Sequence, residues 1–308
     1  MSFLAKILEL SLDEYLLPGH AACAGCGAAL ALRHVLKALG KNTIIVIPAG
    51  CASIIQGMYP KSALNIPVLN SAFDSAAAFG SGVVEGLKAK NKFEELNVIV
   101  WAGDGATFDI GLQALSGAAE RNTGMIYFCY DNEAYMNTGI QTSGATPFGA
   151  LTTTTPFLGK RERKKDIISI ILAHEPSYLA TGVSGYPIDL YNKVLKAKKH
   201  QGFRFIHILT PCPSGWRFDS KYTVTISKLA VDTGMWPLFE VEDLKFNLTG
   251  PSLKLLDPKN RKKVETYLLL QGRFSKLSRE EIATIQKFID NRWEYFKYLT
   301  TVKDRRLL

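Results

Sequence analysis

The chain has 308 residues, of which 47% are hydrophobic and 21% charged, and its formal net charge is +9 at pH 7. This composition is ordinary for a soluble globular protein with one large core or two modest ones. No run approaches about 18 uncharged apolar residues, so no membrane span is predicted. The basic clusters at 160–165, 193–199 and 259–263 are spread apart, so we expect solvated helix faces and loops rather than a nucleic-acid surface. Residues 1–12 do not resemble a signal peptide, which predicts a cytoplasmic protein.

Helices and apolar strands alternate from residue 27 to about residue 240. The predicted helices are 27–39, 73–88, 109–120, 166–174 and 187–199, and the predicted strands are 43–47, 97–101, 125–130 and 203–209. Such alternation requires a mainly parallel sheet covered by helices on both faces. The strands are continuous apolar runs, as expected when both faces of the sheet are buried. The sequence therefore predicts an α/β fold of three layers.

The pattern changes after Trp236-Pro237. Residues 237–241 and 245–249 are predicted as short strands, and two amphipathic helices are predicted at 259–270 and 279–298. Asp257-Pro258 and Ser278 are suitable starts for these helices. We expect one domain over residues 1–236 and a C-terminal helical extension over 237–308 that packs on the core or on partner subunits.

Polar side chains follow two of the predicted strands at the point where each strand ends. Gly103-Asp104-Gly105 follows one strand, and Asp131-Asn132 follows the next. Carboxylate and amide oxygens at one sheet edge suit a Mg²⁺ ion shared with a diphosphate, and glycines let the backbone approach the phosphates. Gly-Asp-Gly alone is often only a tight turn. Asn132 and the long polar loop that starts at Asn137 favour a functional site.

Four of the five cysteines are candidate ligands, and the fifth is a candidate core residue. Cys23 and Cys26 form a Cys-x-x-Cys that could hold a metal or act as a redox pair, while Cys51 and Cys212 each follow an apolar strand. These four thiolates can therefore meet at the sheet edge where open α/β folds bind ligands, holding either Zn²⁺ or an iron–sulfur cluster. The isolated positions of the third and fourth cysteines favour a cluster. Cys129 lies inside a strand and is predicted to be core.

The combination resembles the β subunit of a 2-oxoacid:ferredoxin oxidoreductase of the pyruvate synthase type. The similarity covers nearly the whole chain, and the run from Tyr130 to Gly139 is its most specific part. The motifs that carry it are Pro18-Gly19-His20, Cys23-Ala24-Gly25-Cys26-Gly27, Gly50-Cys51, the segment 70–78, Gly103-Asp104-Gly105, Asp109-Ile110-Gly111, the segment 130–139 and the segment 210–216.

The resemblance implies a thiamine diphosphate (TPP)-binding fold with three cofactors: TPP, Mg²⁺ and a [4Fe-4S] cluster. Asp104 and Asn132 would bind Mg²⁺ through their side chains and Ala134 through its carbonyl. Gly50, Gly103 and Gly105 would lie at the TPP site, and Asn137 and Thr138 beside the diphosphate and the reactive thiazolium, with Asn137 catalytic. The four cysteines Cys23, Cys26, Cys51 and Cys212 would hold the cluster.

The same resemblance implies oxidative decarboxylation of a small 2-oxoacid, with single electrons passing through the cluster to ferredoxin. Partner subunits of α, γ and δ type would complete the enzyme, and the α subunit would supply most substrate residues. Phe108, Leu64 and Thr142 depart from the family pattern, so the acid could be pyruvate or oxalate, and the use of coenzyme A stays open. Two other functions would account for part of these residues: a non-redox TPP-dependent decarboxylase or carboligase would use Gly103-Asp104-Gly105 and Asn132, and a zinc-stabilised binding module would use the cysteines.

Overall fold

The computed structural model describes residues 10–301, and its centre is one sheet of eight strands. The strands lie in the order β2-β1-β3-β4-β6-β5-β7-β8. The first six are parallel, whereas β7 is antiparallel to β5 and β8 is antiparallel to β7. Their bounds are β1 Thr43–Pro48, β2 Val68–Ser71, β3 Asn97–Gly103, β4 Ile126–Asp131, β5 Tyr178–Val183, β6 Arg204–Leu209, β7 Phe239–Glu242 and β8 Lys245–Leu248.

Helices cover both faces of this sheet. Side chains alternate between faces along a strand, and in β3 Val98 and Val100 belong to one buried core while Ile99 and Trp101 belong to the other. We call the core with Val98 and Val100 the first core and the core with Ile99 and Trp101 the second core. The helices that cover the first core are α3 Ala76–Ala89, α4 Leu112–Glu120, α5 Ile167–Leu172, α7 Pro213–Trp216, α8 Thr223–Asp232, α9 Glu265–Leu268 and α10 Arg279–Thr301. The helices that cover the second core are α1 Gly27–Leu39, α2 Cys51–Gln56 and α6 Pro187–Lys199. The predicted three-layer α/β fold is confirmed.

Most predicted elements are present, with a few differences. The helices at 27–39 and 187–199 are found at the expected bounds, but β2 and β5 were not predicted. The predicted helix at 259–270 is wrong, because α9 spans only Glu265–Leu268 and 3-10 turns occupy Gly250–Leu256 and Pro258–Asn260. The apolar side chains that reach the core there come from Leu255 of the first turn and from Tyr267 and Leu268 of α9, whereas Pro258–Asn260 buries none.

The C-terminal residues contribute to the same sheet and core. β7 and β8 extend the sheet beyond β5, and α10 buries Ile289, Trp293 and Phe296 against the first core. The boundary at residue 236 stays a prediction. Among residues 10–301, no helix is both long enough and apolar enough to cross a membrane.

Two of the basic clusters are not simply solvated. Lys160 is 6% exposed and donates to the Ser143 carbonyl, and Lys193 is 2% exposed and donates to the Thr181 carbonyl. These ammonium groups satisfy backbone carbonyls that water does not reach, so the expectation of solvated faces was wrong for them.

Candidate functional site

The site lies where β3 and β4 end. These strands are adjacent and parallel, and Gly103 is paired with Tyr130, so Asp104 and the residues after Asp131 emerge side by side. Asp104 does not sit on the expected tight turn. Its φ of −60° and ψ of −41° are helical, and a π-helix over Gly105–Ile110 follows at once. Single π-helical turns of this kind are frequent at functional sites.

Three oxygen-bearing groups converge at this point: the carboxylate of Asp104, the amide of Asn132 and the carbonyl of Ala134. In one orientation of the Asn132 amide, its oxygen lies 3.0 Å from Asp104 Oδ1 and 2.9 Å from the Ala134 oxygen. In the other orientation the amide nitrogen takes that place and donates to both oxygens. All three residues are buried. With the amide oxygen turned inward the three groups offer three oxygens to a cation, and with the nitrogen turned inward its two hydrogen bonds join the other two oxygens. We call the three groups the oxygen corner.

Two tyrosine rings lie directly against the glycines beside these oxygens. A β-carbon on Gly105 would lie 2.3 Å from Tyr135 Cε1, and one on Gly103 would lie 3.2 Å from the ring of Tyr130. The Tyr130 hydroxyl would lie 3.3 Å from a β-carbon on Gly50, and it accepts a hydrogen bond from the Ala52 amide. The glycines are therefore needed for the close packing of backbone and aromatic rings as well as for any approach of a ligand.

A buried network of charges supports the loop that carries Asn132. Lys164 lies 2.6 Å from Asp131 Oδ2 and 2.8 Å from Glu133 Oε1, and Arg273 lies 2.6 Å from Glu133 Oε2. His207 Nε2 is 2.7 Å from Asp131 Oδ2. Two carboxylates are thus matched by two cations beneath the oxygen corner, which is the condition for burying such groups at acceptable cost.

The surroundings shift the two aspartates in opposite directions. Burial, together with the charge of Asp131, raises the pKa of Asp104 well above its usual value. Burial opposes ionisation of Asp131 as well, but Lys164 and His207 outweigh it and lower the pKa of Asp131. The Ser143 hydroxyl donates to Asp104 Oδ2, and this hydrogen bond partly offsets the rise in the pKa of Asp104. A cation at the oxygen corner would supply the positive charge that Asp104 lacks.

The four candidate cysteines lie near the same edge of the sheet. Gly27 N donates to Pro211 O over 3.1 Å, which joins the Cys23–Cys26 loop to the segment before Cys212. Burial, followed by the nearby Cys212, Cys26 and Cys23, raises the pKa of Cys51 to about 12, and burial raises that of Cys212 to about 11. Cys23 is exposed and Cys129 is buried in β4. In residues 10–301 no three His, Cys, Asp or Glu side chains are placed to hold a single metal ion.

The other predicted site residues lie on the loop after β4. Asn137 and Thr138 are exposed, and the Thr138 hydroxyl donates to Gln141 Oε1 over 2.6 Å. Phe108 and Leu64, which depart from the family pattern, are buried in the two cores.

Sequence reasoning missed the residues that support the site. Glu133, Lys164, Ser143 and Arg273 are joined by contacts between residues far apart in the chain, the longest spanning 140 positions. The one available signal was Glu133 itself, a second acidic residue directly after Asp131-Asn132 in the specific run at 130–139.

Comparisons with known proteins identify the family of this chain. A family model described as the thiamine pyrophosphate enzyme C-terminal TPP-binding domain matches residues 48–208, just over half of the chain. The pyruvate synthase subunit PorB of Methanothermobacter thermautotrophicus is 48% identical over 288 residues, which cover 92% of this chain and 98% of that protein. The ketoisovalerate oxidoreductase subunit VorB of Pyrococcus furiosus is 47% identical over 306 residues, covering 96% and 97%.

A solved structure shares the fold. The 2-oxoglutarate:ferredoxin oxidoreductase from Magnetococcus marinus superposes with a TM-score of 0.57 at 22% identity, covering 71% of this chain and 82% of that chain. The chain therefore belongs to the 2-oxoacid:ferredoxin oxidoreductases, as an oxidoreductase subunit of the type that carries the TPP-binding domain.

Proposed function

We propose that this chain is the β subunit that holds TPP, Mg²⁺ and a proximal [4Fe-4S] cluster in a 2-oxoacid:ferredoxin oxidoreductase. The observation that carries the proposal is the oxygen corner of Asp104, Asn132 and Ala134 at the edge where four cysteines also gather. A TPP enzyme without redox chemistry would use the oxygen corner alone, and a zinc-stabilised module would use only the cysteines. The pairing of both favours the oxidoreductase.

Two spacings within the oxygen corner match those between neighbouring ligands of Mg²⁺. An octahedral Mg²⁺ binds oxygens at about 2.1 Å, so neighbouring ligands lie about 3.0 Å apart. The Asn132 amide position is 3.0 Å from Asp104 Oδ1 and 2.9 Å from the Ala134 oxygen. Mg²⁺ is usually completed by substrate phosphates and water. Asp104, Asn132 and Ala134 would hold the ion, and the diphosphate of TPP would take its open positions.

The buried thiols would have to lose their protons to hold a cluster. Burial raises the pKa of Cys26, Cys51 and Cys212, so these thiols are neutral at pH 7 in the absence of a metal. Only the thiolate ligates iron, and metal binding therefore releases the protons. A [4Fe-4S] cluster places each thiolate on a separate iron, so its four ligands are more widely spaced than those around one ion.

TPP would supply the carbanion that attacks the keto carbon and the site that accepts the electrons left by loss of CO₂. This chain's residues would orient it. Asp104, Asn132 and Ala134 would hold the diphosphate end through the metal, and the glycines at 103 and 105 would let the backbone approach it. Asn137 and Thr138, exposed on the adjoining loop, would contact the thiazolium and the diphosphate. The nearby cysteines would set a short path for one-electron transfer to the cluster and on to ferredoxin.

Pyruvate is the substrate that we propose first, because the named relatives include a pyruvate synthase subunit. The departures at Phe108 and Leu64 do not count against it, since both side chains are buried in the cores rather than exposed at the strand ends. Oxalate and branched 2-oxoacids are the alternatives. Partner subunits of α, γ and δ type would complete the active site in the cytoplasm, and coenzyme A would be used if an acyl product is transferred.

The test is an anaerobic assay on the complex purified through this chain. Viologen or ferredoxin reduction is followed with pyruvate, ketoisovalerate, 2-oxoglutarate and oxalate, each with and without coenzyme A, while iron and TPP are quantified on the same sample. Reduction with one acid, together with bound iron and TPP, supports the proposal. TPP without iron would point to the non-redox enzyme, and zinc without TPP would point to the binding module.

A further inference from the structure

One arginine from the C-terminal part of the chain touches two separate loops of the site. Arg273 is 2% exposed, and its guanidinium donates to Glu133 Oε2 over 2.6 Å. The same guanidinium lies 3.7 Å above the ring of Trp216. Glu133 belongs to the loop that carries Asn132 and Ala134, and Trp216 belongs to the turn that starts at Cys212.

The ion pair between Arg273 and Glu133 lies at a strained segment of backbone. Glu133 has a φ of 68°, in the left-handed region that costs energy for a residue with a side chain. Its carboxylate is buried between Arg273 and Lys164, and its carbonyl accepts from the Thr146 hydroxyl over 2.7 Å. This conformation turns the chain between Asn132 and Ala134, so that both can present an oxygen to one point. The ion pairs therefore stabilise the geometry of the oxygen corner.

The stacking of Arg273 on Trp216 involves the turn that starts at Cys212. Trp216 N donates to Cys212 O over 2.8 Å, and Gly215 N donates to Cys212 Sγ over 3.4 Å. The indole Nε1 of Trp216 donates in turn to the Asn132 carbonyl over 2.7 Å. The stacked guanidinium, the indole and Asn132 thus form one continuous buried unit between the two loops.

We propose that Arg273 is a positioning residue that couples the metal–diphosphate loop at Asn132–Ala134 to the cluster turn at Cys212–Trp216. The ion pair with Glu133 sets the oxygen corner, and the stack on Trp216 sets the direction of the Cys212 turn. This side chain then holds the spacing of the two cofactors together with the direct hydrogen bond from the Trp216 indole to the Asn132 carbonyl. This inference rests on the proposed function, because it assumes that both loops hold their cofactors.

The test compares three variants of the anaerobically purified complex by the Kd for TPP at fixed Mg²⁺, the iron content, and the electron paramagnetic resonance (EPR) spectrum of the reduced cluster. Arg273→Met is expected to weaken TPP binding by about 10- to 100-fold, the usual effect of losing an outer-shell partner, and to change the cluster spectrum. Arg273→Lys can still pair with Glu133 but cannot stack as a planar group. It is expected to restore TPP binding and to leave the cluster spectrum altered.

Arg292→Met is the matched control. Arg292 is another arginine of the C-terminal part, but it donates to the backbone carbonyls of Gly234 and Met235, over 2.6 and 2.8 Å, and neither loop of the site is among these partners. It is expected to lower thermal stability while TPP affinity and cluster spectrum stay as in the wild type. If Arg273→Met does not assemble, Trp216→Phe keeps the stacking ring but removes the donor to Asn132, and weaker TPP binding with an unchanged spectrum is expected.

Three results would overturn the coupling. The first is that Arg273→Met matches Arg292→Met in every measurement. The second is that Arg273→Met changes only TPP binding or only the cluster spectrum. The third is that Arg273→Lys restores both TPP binding and the wild-type cluster spectrum. A wild-type complex without TPP and iron would instead refute the proposed function and the coupling together. The coupling alone is refuted only if the wild-type complex carries both TPP and iron. The two failures are therefore distinguishable.

Discussion

Gly105 is the position where the smallest substitution should have the clearest effect. In Gly105→Ala the new β-carbon would lie 2.3 Å from Tyr135 Cε1 and 2.6 Å from Cδ1. Ordinary carbon contacts begin near 3.4 Å, so the ring must retreat by about 1 Å. That movement lengthens the 2.9 Å hydrogen bond from the Tyr135 hydroxyl to Asp109 Oδ2 beyond bonding distance.

The cost can be estimated from these two effects. Overpacking a close-packed site costs about 1–3 kcal/mol, and losing a hydrogen bond to a charged group costs about 1.5–3 kcal/mol. With an unfolding entropy of about 2.1 cal/mol/K per residue, a chain of this length loses roughly 4–9 °C in Tm for a total of about 2.5–6 kcal/mol. TPP affinity should fall as well, because Gly105 adjoins Asp104 at the oxygen corner.

The assay is thermal unfolding of the purified complex, combined with TPP titration. Gly86→Ala is the control, since a β-carbon on this exposed residue of α3 meets nothing within 4 Å. It should raise stability by about 0.4–1 kcal/mol. In a Tyr135→Ala background the cost of Gly105→Ala should largely vanish. An equal cost in both backgrounds would show that the ring contact is not the cause and would refute the reasoning.

Three further predictions address the cofactors and pH. Cys51→Ser should lose most of the iron and the cluster signal, whereas Cys129→Ala should keep the iron, since Cys129 is buried inside β4; equal iron in both would remove Cys51 from the ligand set. Asp104→Asn should weaken Mg²⁺-dependent TPP binding without lowering the Tm of the cofactor-free complex, because burial and Asp131 already disfavour the Asp104 carboxylate; a lower cofactor-free Tm would contradict this. Burial, reinforced by Arg33 and Lys37, lowers the pKa of His34 in the folded chain. The His34 imidazole therefore takes up a proton at higher pH in the unfolded chain than in the folded one, and the free energy of unfolding falls as pH drops below about 6.5. His34→Gln should make unfolding curves at pH 7.5 and 5.5 more alike than in the wild type.

The long periodic elements could be predicted from the sequence because each is defined locally. α1 and α6 were predicted at their bounds, since apolar residues recur along one helical face. β5 was missed because Tyr178–Val183 contains Thr and Gly and is defined by its pairing with β6 and β7 rather than by its own pattern. The sheet order likewise depends on pairing between distant strands.

The candidate site could be predicted only in part for the same reason. Asp104 and Asn132 follow apolar strands, so their meeting at one edge follows from the topology of a parallel sheet. Lys164 and Arg273 carry no such signal, because each is a single charged residue whose partner is defined by tertiary packing. Lys164 lay in a basic cluster that suggested solvent, although its side chain is only 22% exposed and contacts two carboxylates.

The order of residues in the Glu133–Arg273 pair has a consequence for how the protein is made. Arg273 is synthesised 140 residues after Glu133, which is about 7–28 s at ribosomal rates of roughly 5–20 residues per second. During that interval the Glu133 carboxylate has at most Lys164 as its cation, and the turn between Asn132 and Ala134 lacks one of the two ion pairs that hold its strained form. The oxygen corner therefore reaches its final shape only after the C-terminal segment has emerged. Cofactor loading is then an event of the finished chain, and a prematurely terminated chain that lacks residue 273 would leave the ribosome with every expected ligand residue and yet without a formed site.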